Sequence, residues 1–111
     1  MIKAYPKLAQ QVHQLLKTAQ IPFEPHLESE LIILAPHHLL SIIDFKQLNH
    51  TKLTPQTLAH LILHDALDNY QTWLQLTHFD QSQTTFHQLK DMQKDLQWFQ
   101  AQCHTLQEMP S

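Results

Sequence analysis

The sequence predicts an α+β domain built from an N-terminal helix, a small antiparallel β hairpin or three-stranded meander, and two long antiparallel C-terminal helices. Three observations carry this. Apolar residues recur at helical spacing near the N-terminus and throughout the C-terminal half, a short apolar run between prolines separates the two, and 111 residues suffice for one core only. The alternative is an all-α bundle in which Leu39–Leu48 is helical. Either way the chain reads as a single domain over residues 1–111.

From Pro6 to Ala19, Leu8, Val12, Leu15, Leu16 and Ala19 form a helical stripe, and Pro6 suits a first turn. Pro22 and Pro25 forbid continuation, so Ile21–Leu27 can supply only an edge strand. Glu30–Ala35 is a continuous apolar run closed by Pro36, the pattern of a buried strand. In Leu39–Leu48 the β-branched pair Ile42–Ile43 favours strand. Thr54–Pro55 joins a capping hydroxyl to a proline at the first helical position, and the stripe from Leu58 to Leu74 predicts a half-buried helix to about Thr77. Asp80, with Gln83 three residues on, suits the cap of a last helix. There Leu89, Met92, Leu96, Phe99, Cys103 and Leu106 follow steps of three and four, a seam that packs on the preceding helix and places Cys103 inside. Phe79 and Phe86, off that seam, read as covers over the helical hairpin.

Composition removes several functions. The chain contains no glycine, which excludes Walker loops, dinucleotide-binding loops and the strained nucleophile elbow. All seven basic residues are lysine, and the formal charge is -3, so nucleic acid is not the expected partner. The single cysteine closes no intrachain disulfide and suits a reducing cytoplasm. No leader-like or membrane-spanning run is evident, so no membrane role is expected and the sequon at Asn49-His50-Thr51 carries no meaning. The ten histidines turn the net charge positive as pH falls through about 6.5.

Three groups of residues bear chemistry. His60, His64 and Asp68 stand on successive turns of one helix face, the spacing of a divalent-metal site, although the base glutamate of a zincin is missing. Asp44-Phe45-Lys46 closes a possible strand, with Glu24, Glu28 and Glu30 upstream and a helix before them. This order resembles the core of the PD-(D/E)XK nucleases. The resemblance implies a metal-dependent phosphodiesterase, active or silent, in which Glu30 and Asp44 hold Mg²⁺ and Lys46 orients water. The match departs from the family in having no Pro-Asp pair before the first strand. The third group is a helical surface. At 100° per residue Trp98 falls away from the seam, beside His87, Asp91 and Lys94, and an exposed tryptophan is a natural binding anchor.

The expected function is therefore a small cytoplasmic protein-binding module: an adaptor, an assembly subunit, or an inhibitor or immunity-type protein. It is expected to need no cofactor and to catalyse nothing. Its partner is another protein, a basic one if Asp65, Asp68, Asp91 and Asp95 supply complementary charge. The chain itself is a monomer, or a homodimer if the seam pairs between copies.

Overall fold

The first element follows directly from its prolines and its stripe. Pro6 forfeits no hydrogen bond at a helix start, and α1 (Pro6–Thr18) buries Val12 and Leu16 completely. A Schellman turn ends it, with the Ile21 N–H donating to the Leu16 carbonyl at 2.9 Å and the Gln20 N–H to that of Lys17 at 3.1 Å. Gln20 takes the left-handed position of this turn, at φ 61°. Glycine would be the ordinary choice there. The chain is seen in a computed structural model that describes residues 5–49, 52–77 and 83–110.

Three strands follow in chain order: β1 (Glu24–Leu27), β2 (Glu30–Leu34) and β3 (Leu40–Asp44), all antiparallel. β1 carries Pro25 and an irregular register between Pro25 and Leu27, both tolerable only at an edge. Leu31 pairs with Ile43 and Ile33 with Ser41, and these four side chains, each 0% exposed, form the inner face. The segment Leu39–Leu48, read as strand from its β-branched pair, divides at Asp44. That residue's carboxylate accepts the Lys46 N–H at 2.9 Å and caps the short helix α2 (Phe45–Leu48), which buries Phe45 and Leu48.

The two long helices are α3 (Pro55–Thr77) and α4 (Gln83–Gln107). Thr54 opens α3, its hydroxyl accepting the Thr57 N–H at 3.1 Å. The amide of Gln56, at the start of α3, donates to the Gln107 and Met109 carbonyls at the end of α4, so the pair is antiparallel. Asp80 and Phe79 lie outside the described residues, as do His50 and Thr51 of the sequon.

The buried stripe of α4 departs from the predicted seam at Leu89 and Leu96 and gains Asp95. Met92, Asp95, Phe99, Cys103 and Leu106 are buried, whereas Leu89 and Leu96 are half-buried. The cause is a second neighbour. A helix packed on one partner buries a narrow seam, but α4 also meets the turn between β2 and β3, which widens its covered arc. Because these residues are buried within one chain, the seam is already filled without a second copy.

Candidate binding surface

β2 and β3 each have two sides, and only one is fully buried, whereas β1 is exposed along its whole length. On the outer side, register pairs Ile32 with Ile42 and Leu34 with Leu40. Leu34 is 50% exposed, and Leu27, opposite Glu30 on β1, is 57% exposed. Ile32, Leu40 and Ile42 are half-buried on that side and stand apart from the apolar cluster that fills the interior. An antiparallel sheet with a solvated side normally alternates apolar with polar residues, whereas β2 and β3 are apolar on both sides. The sequence pattern of a fully buried strand thus meets a structure that buries one face. The same outer face carries Glu24, Glu30 and Asp44, and its strands hold no Lys, with His26 of β1 exposed at the irregular register.

The edges of the sheet are closed to further pairing. β3 would present unpaired groups to water, but α3 lies along it. The Asp65 carboxylate accepts the Ile42 N–H at 2.7 Å, and the Asn69 amide donates to the Leu40 carbonyl at 2.7 Å. Two side chains one helical turn apart therefore replace a neighbouring strand. Inside, the Ser41 hydroxyl donates to the Ile62 carbonyl at 3.2 Å. At the opposite edge the missing N–H of Pro25 and the irregular register do the blocking.

The turn Pro36-His37-His38 is held from α4. Asp95, 0% exposed, accepts the His37 N–H at 3.0 Å and the Leu39 N–H at 2.9 Å, and its Oδ1 lies 3.0 Å from Nδ1 of His37. The Ala35 N–H donates to the Leu39 carbonyl, and His38 stands at φ 139°. Short hairpin loops use glycine at such a position. Here a buried carboxylate gathers the turn's amides instead.

These contacts correct several expectations for the helical surface. Asp95 offers a partner nothing, because its charge is spent on the turn. Asp65 is half-buried against β3. Trp98 does not point away from the core: it is half-buried, packed against the apolar cluster, with its ring 5.1 Å from that of Phe99 in an edge contact. The widened arc of α4 that accommodates Asp95 also covers Trp98. Asp68, His87 and Lys94 remain exposed and Asp91 is half-exposed. Phe86, read as a cover, is 56% exposed with the Lys90 ammonium 5.0 Å from its ring centre.

The two metal-type groupings stand as follows. Glu30 and Asp44 are cross-strand partners, but the Asp44 carboxylate caps α2 through the backbone of Lys46, and the Lys46 side chain is exposed one residue into that helix. The His60 and His64 rings lie 6.3 Å apart on the exposed side of α3, and Nδ1 of His64 is 3.8 Å from the Asp68 carboxylate. Among the described residues no three His, Cys, Asp or Glu side chains converge on a point that would hold a metal ion. Cys103 is buried as expected, and burial pushes its thiol up to about 11 against the smaller opposing effect of a hydrogen bond with the Leu63 backbone. No helix among the described residues is long and apolar enough to cross a membrane.

No protein-family model matches the chain, and no curated protein or solved structure matches it significantly.

Proposed function

We propose that this chain is a non-enzymatic protein-binding module, acting as an adaptor, assembly subunit or inhibitor, and that its partner docks on the outer face of the sheet. One observation carries the reading: strands apolar on both sides are covered on one side only, leaving Ile32, Leu34, Leu40 and Ile42 as a contiguous apolar surface. The carboxylates on that face suit a basic protein better than nucleic acid or an anionic membrane, and the lone reduced thiol suits the cytoplasm.

The test is affinity capture of the tagged full chain from cells that express it, with Leu34→Lys beside it. Leu34 is half exposed, so the substitution should change stability by no more than about 1 kcal/mol. A stoichiometric partner captured by the parent chain and lost from the variant is the expected outcome. Equal capture by both chains, or none by either at matched expression, would overturn the proposal.

A further inference from the structure

We infer that the occupant of the outer sheet face is an amphipathic helix of another protein, its apolar stripe bordered by Lys or Arg and its N-terminus at the Glu30–Asp44 end. The inference rests on the sheet face being the docking surface and specifies what docks there.

Three features select a helix of this kind. The first is closure of the edges: Asp65 takes the Ile42 N–H and Asn69 the Leu40 carbonyl at the middle of β3, and Pro25 interrupts β1, so an incoming strand finds no continuous ladder to join. A partner must therefore lie on the face. The second is size. Strands spaced about 4.8 Å apart and rising about 3.3 Å per residue give three strands of up to five residues a face about 10 Å wide and 17 Å long. A single helix about 10 Å across covers that face with about eleven residues at 1.5 Å each. The inner face of β2 and β3 is already covered by the chain's own helices, so a helix on the outer face completes the layered packing that strands apolar on both sides require.

The third feature is charge. Glu24 stands beside Ile32, while Glu30 and Asp44 face one another at the end of the sheet remote from the β2–β3 turn. Lys or Arg residues flanking the partner's stripe meet these carboxylates. A helix N-terminus at the Glu30–Asp44 end adds its positive dipole to the match. A second copy of this chain would bring the same three carboxylates and no Lys from its own strands, with His26 of β1 the one imidazole beside them, which favours a different protein over self-pairing.

A benzophenone-bearing phenylalanine replacing Leu34 in the full chain tests this. After irradiation in cells that express it, the crosslinked peptide is sequenced by mass spectrometry. The expected peptide comes from another protein, has apolar residues at i, i+3 or i+4, and i+7, and carries flanking Lys or Arg. Combining Glu24→Lys with Glu30→Lys should lower the crosslink yield by about tenfold, with the circular dichroism spectrum of the chain unchanged. A crosslink to a second copy, or to an extended or acidic segment, overturns the helix inference; the acidic or extended case leaves the protein-binding reading standing. Absence of any crosslinked protein overturns both.

Discussion

Asp95 shows how one residue can be misjudged from its type and still determine the local structure. A carboxylate with no contact to water is tolerable only when donors surround it, and here two backbone N–H groups and an imidazole do so. Removing it strands the Leu39 N–H in the interior and takes the acceptor from the part-buried His37. Asp95→Ala should therefore cost about 2–4 kcal/mol in a urea unfolding measurement, and Asp95→Asn should also destabilise because its amide nitrogen donates where the turn needs acceptors. Gln20 offers the opposite experiment. Its left-handed conformation carries a steric cost of about 1–2 kcal/mol that glycine lacks, partly offset by glycine's larger unfolded-state entropy. Gln20→Gly should stabilise the chain by about 0.5–1 kcal/mol, read as a higher urea midpoint at unchanged slope.

Among the elements, β3 depends on α3 for its outer hydrogen bonds. Replacing both Asp65 and Asn69 by Ala reopens a row of backbone groups. The double variant should self-associate on warming at concentrations where the parent stays monodisperse, as light scattering would report. The elements themselves were largely readable. Thr54–Pro55 marks the start of α3 unambiguously, and Pro6 does the same for α1. What could not be read was which face of each element meets which neighbour. Helix periodicity shows the angular position of Asp65, Asp95 and Trp98, but their burial arises from a strand edge, a turn and a second packing partner that no local pattern encodes. A weak signal existed for Asp95, which lies three residues after Met92 and four before Phe99, on the line joining two buried side chains. The two-sided apolar character of β2 was visible, and it pointed to burial on both faces. The exposed outer face is the difference between that pattern and the covered fold.

At the scale of the whole molecule, one apolar cluster joins α1, the sheet, α2, α3 and α4, so unfolding should be a single cooperative transition. Cys103 lies within that cluster and reports on it. Its thiol should react with a neutral alkylating agent at pH 8 only as fast as the chain opens, with the rate rising in urea in parallel with loss of circular dichroism. The raised thiol pKa also fixes a pH dependence. The folded state holds this proton more tightly than the unfolded chain, so the stability it contributes is full below about pH 9 and declines as pH rises toward about 11. His13 acts at the other end of the scale. Burial, with the nearby Lys17 ammonium, lowers its pKa, so protonation weakens the fold as pH falls below 6.5.

The clasp between Asp95 and the β2–β3 turn joins residues up to 58 positions apart. During synthesis α1 and the meander emerge before α3 and α4, so the turn amides and the Ile42 N–H wait for their acceptors and the Leu40 carbonyl for its donor. The nascent sheet should therefore be adhesive until α4 is translated, so that completion of the fold waits on that helix rather than on the strands themselves.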